Sequence, residues 1–145
     1  MNEGLIVLLI WLLFAGTLMY YTYRRGQKAL SIFPPIDTVK VLYRDRKASV
    51  KSNKSLWTKL GAISNSVDLV VTDTELWVKG NKFIASFMTK YDILHKIPLS
   101  KVTSVHRKGD RIKLRFKPEN YLEKELVIQT TQTSKFIELV KDQIK

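Results

Sequence analysis

The chain has 145 residues and a formal net charge of +12 at pH 7. It contains no cysteine, which excludes disulfides, thiolate catalysis and cysteine-ligated zinc. Beyond an apolar N-terminal stretch, the remaining length is sufficient for one small domain.

An uncharged apolar stretch runs from Leu5 to Tyr23. As a helix it would be roughly 28 Å long, close to the roughly 30 Å hydrocarbon core of a bilayer. It lacks the polar stripe of a helix buried in a soluble core, and the residues before it lack the positive charge of a cleaved signal peptide. We therefore predict an uncleaved transmembrane helix within residues 1–25.

The flanking residues predict how this helix is oriented. Only Glu3 is charged on its N-terminal side, and three cations follow it directly: Arg24, Arg25 and Lys28. This asymmetry places the N-terminus outside and the C-terminal part in the cytoplasm. Three tyrosines are expected to form an aromatic belt at the cytoplasmic headgroups: Tyr20, Tyr21 and Tyr23.

Residues 26–38 are predicted to be a linker, and residues 39–145 a single domain. The adjacent Pro34 and Pro35 are incompatible with a helix interior or a central strand. Between Arg24 and Ala62 the chain has ten Lys and Arg residues against two acids, so the basic excess is concentrated beside the membrane.

Alternation of apolar and polar residues predicts short antiparallel strands from Val39 onward. Asp73-Thr74 and Lys108-Gly109-Asp110 are predicted to be the turns of two hairpins. The strand candidates are Val39–Tyr43, Ala48–Val50, Val67–Thr72, Glu75–Lys79, Phe83–Phe87, His95–Pro98, Val102–Arg107, Arg111–Phe116 and Glu125–Gln129.

The last segment, TSKFIELVKDQIK, has apolar residues at helical spacing and predicts one amphipathic helix. The fold class is therefore mainly β with one C-terminal helix. We expect a curved sheet or partly open barrel of about seven strands, whose open end the helix covers by burying Phe136 and Leu139.

Three segments carry a family resemblance: LVVTDTELWVKG (69–80), IPLSKVTSVHRKGDRIKLRF (97–116) and FIELVK (136–141). With them, residues 39–145 resemble a bacterial PH-like domain of the PH/GRAM superfamily. The resemblance implies a non-catalytic module that binds phosphoinositides, other anionic lipids, peptides or proteins. With the N-terminal anchor, it implies a bacterial inner-membrane protein whose domain lies in the cytoplasm.

The lipid-headgroup candidates are four lysines of the first predicted hairpin: Lys47, Lys51, Lys54 and Lys59. Several ammonium groups on one loop form a diffuse positive patch suited to an anionic surface, although a merely solvated loop is the alternative. Trp57 lies among them and would either insert at the interface or pack on the domain.

A second basic group alternates with apolar residues along one predicted strand: Arg111, Lys113, Arg115 and Lys117. Alternation places these four side chains on one face and their apolar neighbours on the other. We interpret them as the outward face of a half-buried strand, forming a basic ridge.

The sequence indicates no enzyme, cofactor or metal site. His95 and His106 do not have metal-ligand spacing, and the nearby glutamates have no identifiable acid–base partner. The preferred hypothesis is a membrane-anchored binding module that contacts anionic headgroups or a membrane-associated partner. The alternative is a protein assembly subunit without a lipid ligand. Nucleic acid is disfavoured as a partner, because an anchored chain meets anionic lipid first.

Overall fold

The structure is a computed structural model, which describes residues 2–53, 61–119 and 121–145. Two short 3₁₀ turns, Ile36–Thr38 and Leu99–Lys101, connect some of its elements. The helices and strands, in chain order, are α1 (Glu3–Leu30), β1 (Val41–Ser52), β2 (Ala62–Thr72), β3 (Glu75–Lys79), α2 (Lys82–Lys90), β4 (His95–Pro98), β5 (Val102–Lys108), β6 (Arg111–Phe116), β7 (Lys124–Gln129) and α3 (Thr133–Ile144).

The seven strands form one sheet in the order β4-β3-β2-β1-β7-β6-β5, and every neighbouring pair is antiparallel. Helix α3 packs against β1, β5 and β6. Its Phe136 and Val140 are buried in the core, and Leu139 is partly buried against it. The predicted fold class, mainly β with about seven strands and one C-terminal helix over the core, is confirmed.

Both predicted hairpin turns are present. The hydroxyl of Thr72 accepts hydrogen bonds from the backbone N–H groups of Thr74 and Glu75, which closes the β2–β3 turn. In the β5–β6 turn Gly109 has a φ of 66°. Glycine adopts this left-handed conformation without the steric cost that a side chain would impose.

The first two strand candidates are parts of a single strand. Val39–Tyr43 and Ala48–Val50 fall largely within β1, whose pairing with β2 shifts register between Asp45 and Ala48 and again between Ala48 and Val50. Such bulges interrupt the alternation without ending the strand. The sequence therefore predicted two short strands where the structure has one continuous strand.

The predicted strand Phe83–Phe87 is wrong, because these residues belong to helix α2. The Asn81 side chain accepts hydrogen bonds from the backbone N–H groups of Phe83 and Ile84 and so caps the helix. Met88 is buried in the core, and Ile84 packs against it from one turn earlier. The short apolar run FIASF is compatible with either a strand or a helix, so it did not reveal this helical spacing.

Helix α1 is long and apolar enough to cross a membrane, and none of its apolar window is buried by the rest of the chain. It does not stop at the end of the apolar stretch but continues to Leu30. The first residues of the segment 26–38 are therefore helical.

Helices α1 and α2 pack closely at Gly26, which is buried. A Cβ atom at this position would lie 1.4 Å from the carbonyl oxygen of Lys82. Beside this contact the rings of Tyr23 and Phe83 are 5.5 Å apart, and Lys82 Nζ donates to the Tyr23 hydroxyl at 2.8 Å. The absence of a side chain at Gly26 is thus what allows the two helices to touch.

The segment after α1 also packs on the sheet. The ring of Phe33 lies 5.7 Å from that of Trp77 in β3, and Lys79 Nζ is within cation–π distance of both rings. Trp77 is fully buried although it is not part of the main core cluster. Its indole Nε1 donates to Glu75 Oε2 at 2.8 Å, so the polar end of this large ring is satisfied.

A buried polar network joins β1 to the segment before α3. Asp45 accepts hydrogen bonds from the hydroxyl of Thr130 at 2.6 Å, the backbone N–H of Thr131 at 2.8 Å and the backbone N–H of Lys47 at 2.9 Å. The Tyr43 hydroxyl is hydrogen-bonded to Thr130 as well. Burial alone would raise the pKa of Asp45, but these hydrogen bonds outweigh it and lower the pKa below its ordinary value.

We expect Gly26→Ala to destabilise the packing of α1 on α2, because the new methyl group would overlap the Lys82 carbonyl. Forced overpacking typically costs about 1–3 kcal/mol. Thermal unfolding of the full chain in detergent micelles measures the loss. Gly16→Ala is the matched control, since nothing lies within 4 Å of a Cβ atom there. Equal midpoints for the two variants would contradict the prediction.

We expect Asp45→Asn to lower the free energy of unfolding by about 1.5–3 kcal/mol at neutral pH, the usual worth of a hydrogen bond to a charged group. A lowered pKa in the folded state stabilises the fold above the unfolded pKa, about 3.9, and this contribution disappears as the pH falls through the folded value. The difference between wild type and variant should therefore shrink below about pH 4.

Denaturant titrations of the full chain in micelles between neutral and acidic pH test this expectation. Asp142→Asn, at an exposed position of α3, removes the same charge without the buried network and should change stability little at any pH. A difference for Asp45→Asn that does not depend on pH would refute the electrostatic account.

Candidate functional site

The structure describes two of the four lysines predicted to contact headgroups. Lys47 is exposed on β1, and Lys51 is half-buried farther along the same strand. Lys54 and Lys59, together with Trp57, lie outside the described residues.

The sheet brings Lys51 beside the second basic group, which the sequence had presented as separate. On β7, Val127 is paired with Lys51 of β1 on one side and with Lys113 of β6 on the other. Adjacent strands are about 4.8 Å apart, so the backbones of the two lysines are roughly 10 Å apart across Val127. Paired residues project from the same face of a sheet, so the two lysine side chains extend from one surface on either side of Val127.

Lys51, Val127 and Lys113 thus form one row of residues across three strands, and a second row lies beside it. Gln129 of β7 is paired with Ser49 of β1, and the register of β6 with β7 places Arg111 on its other side. We call the outer surface formed by these two rows the basic face: Ser49, Lys51, Arg111, Lys113, Val127 and Gln129.

The basic face contains a recess of about 230 Å³. Two cations, Lys51 and Arg111, line it together with hydroxyl and amide groups from three strands. The complete lining is Ser49, Val50, Lys51, Ala62, Ser64, Arg111, Val127 and Gln129. Such a set supplies positive charge and hydrogen-bond donors at once, which is what a phosphate group requires.

Acidic side chains lie at both ends of this surface. Arg115 Nε donates to Glu125 Oε2 at 2.9 Å, and Asn53 donates to the other oxygen at 2.8 Å. These two hydrogen bonds hold the pKa of Glu125 below its ordinary value, so the carboxylate stays ionised. Asp110 accepts from the Gln129 amide at 2.8 Å. Within the described parts of the chain, Lys51, Arg111 and Lys113 have no ion pair.

The predicted interface residues lie at the end of α1 nearest the domain. Tyr20, Tyr21, Arg24, Arg25 and Lys28 are exposed. Tyr23, by contrast, is partly covered by α2 through its contacts with Phe83 and Lys82. Because Phe83–Phe87 was predicted to be a strand, the contact of α2 with this region was not expected. The capping residue Asn81 is the sequence feature that indicates this helix.

His95 lies apart from the basic face, whereas His106 is paired with Lys113 across β5 and β6. His95 on β4 bonds the backbone oxygen of Asp92 at 2.7 Å, and its ring packs edge-on against Phe116. His106 is exposed on β5. Across residues 2–53, 61–119 and 121–145, no group of three or more His, Asp or Glu side chains could hold a metal ion.

The antiparallel sheet covered by a C-terminal helix is a PH-like fold, and a long apolar helix precedes it. Among solved structures, the chain is similar to the DH/PH domains of PDZ-RhoGEF in complex with GTP-gamma-S-activated RhoA. That match has a TM-score of 0.50 and 10% sequence identity, and it covers 88% of this chain and 40% of the other. It supports a PH-like fold.

The chain is also similar to an N-terminally truncated linker-DH/PH structure of p115-RhoGEF. That match has a TM-score of 0.47 and 13% identity, and it covers 88% of this chain and 39% of that one. The chain thus spans about two fifths of the length of either structure. No protein-family model and no curated protein matches the chain.

Proposed function

We propose that the chain is a membrane-anchored, non-catalytic PH-like module whose basic face binds phosphate-bearing anionic groups. The observation that carries the proposal is the convergence of Lys51, Arg111 and Lys113 from two strands on either side of β7. The phosphate groups belong either to lipid headgroups or to a soluble molecule, since both have the same chemistry.

The anchor in this proposal is α1, inserted with its N-terminus outside and the domain in the cytoplasm. Two features support it: the unburied apolar surface of the helix and the cluster Arg24, Arg25 and Lys28 that follows it. A soluble core helix would be buried by its own domain, whereas this one leaves its apolar window uncovered.

Assembly with another protein is the second candidate function. Tyr121 and Leu122, in the connection between β6 and β7, are 67% and 89% exposed. Adjacent apolar side chains at this exposure are typical of surfaces that bind partners. The solved PDZ-RhoGEF neighbour is itself a complex with RhoA. This candidate requires no contribution from the basic face, so the experiments below separate the two.

Amine-reactive labelling of the full chain in nanodiscs tests which source of phosphate the basic face binds. If it contacts lipid, Lys51 and Lys113 should be protected in discs containing phosphatidylglycerol but labelled in neutral phosphatidylcholine discs. If it binds a soluble ligand, inositol hexakisphosphate should protect both lysines in neutral discs. Exposed Lys141 of α3 is the internal control. Labelling unchanged under both conditions would reject anion binding and favour assembly.

Charge reversal measures how much the two lysines contribute to the binding affinity. Each Lys near an anionic surface is worth about 1 kcal/mol, so Lys51→Glu with Lys113→Glu should lose at least about 2 kcal/mol, or roughly thirtyfold in affinity. Calorimetric titration with the anion that protects the lysines measures this loss. Lys135→Glu with Lys141→Glu, at two exposed positions of α3, is the matched control, and the salt dependence of binding should weaken only in the Lys51 and Lys113 double variant. Equal losses in both proteins would indicate a net-charge effect without a site.

A further inference from the structure

Helix α2 exposes two large aromatic side chains. Phe83 is 43% exposed and Phe87 is 55% exposed, although Ala85 and Met88 of the same helix are fully buried. Residues four apart lie on one face of a helix, so the two rings form a single apolar stripe. The core contacts the other side of α2, through Ala85 and Met88, so it does not cover Phe87 or the exposed part of Phe83.

The stripe begins where the apolar part of α1 ends. The Phe83 ring packs against Tyr23, the last residue of the apolar stretch, at a centroid distance of 5.5 Å. The close contact at Gly26 and the hydrogen bond from Lys82 to Tyr23 hold α2 in this position. The exposed aromatic surface of α2 is therefore continuous with that of α1.

The charges of α2 complement an anionic leaflet. The helix contains lysines at its two ends, Lys82 and Lys90, and its sequence KFIASFMTK has no acidic residue. Lys90 lies over the ring of Tyr91, a further aromatic at the end of the helix. Aromatic residues flanked by lysines on a short amphipathic helix are characteristic of segments that lie in the headgroup region of a bilayer.

We infer that α2 is a second membrane contact: it lies in the cytoplasmic headgroup region and inserts Phe83 and Phe87 toward the acyl chains. The occupant of the stripe is thus the lipid bilayer that holds α1. This inference rests on the proposed function, because it requires α1 to span the membrane.

Site-directed spin labelling can test the inference directly, because the chain has no native cysteine. Phe83→Cys and Phe87→Cys place a nitroxide label on the stripe. Leu122→Cys places one at a matched exposed apolar position outside α2, and Leu18→Cys places one within the apolar stretch of α1. Each full-length variant is reconstituted into vesicles of phosphatidylcholine and phosphatidylglycerol. The relaxation of each label by oxygen, which concentrates in lipid, and by a water-soluble nickel complex is then measured.

Labels at positions 83 and 87 should show an oxygen-to-nickel relaxation ratio several-fold above that at position 122, and below that at position 18. If position 18 shows the lipid signature while positions 83 and 87 match position 122, the inference is overturned and the anchor stands. Labels at 83 and 87 that are shielded from both agents also overturn it, because a protein surface would then cover the stripe. An aqueous signature at position 18 would instead refute the anchor itself.

Discussion

The packing of two helix backbones at Gly26 determines how the parts of this protein are arranged. Because no side chain separates them, α1 rests directly on the first turn of α2, which in turn is held by Ile84 and Met88 against the core. The contact between Phe33 and Trp77 holds the following segment on β3. The apolar helix is consequently attached to the sheet at two points, and the short segment between them is part of the packed structure rather than a free tether.

This arrangement changes how membrane contact would operate in the proposed function. A flexible linker raises the effective concentration of the domain at the surface but leaves its orientation free. A helix docked on the domain restricts the orientation as well. The domain would then present the same surfaces to the leaflet whenever the helix is inserted. It would therefore lose little additional rotational entropy when a weak contact with the leaflet forms.

Features that depend on residues close together in the chain were predictable from the sequence. The β2–β3 turn follows from Asp73-Thr74 between two strand segments, the β5–β6 turn from Gly109, and α3 from apolar residues at helical spacing. The prediction failed at Phe83–Phe87, where the short apolar run FIASF is compatible with a strand or a helix. The local cap at Asn81 and the burial of Met88 in the core make it a helix.

In the candidate site, too, the local features were predictable from the sequence and the tertiary contacts were not. The alternation of Arg111, Lys113 and Arg115 correctly indicated one exposed face, yet the sequence could not reveal that Arg115 is held by Glu125 and that Lys113 shares Val127 with Lys51. These relations depend on strand order. Strand β7 lies between β1 and β6, so residues more than fifty positions apart become neighbours only through a pairing that no local pattern encodes.

The docking of α1 also has a mechanical consequence. A rotation of α1 about its own axis cannot occur independently, because the Gly26 contact and the hydrogen bond between Lys82 and Tyr23 would carry α2 and the sheet with it. In the proposed function, where α1 spans the membrane, the rotation of this helix about its axis would therefore set the direction in which the whole domain points along the membrane plane. A membrane protein that binds α1 within the lipid could then change the orientation of the domain without contacting the domain.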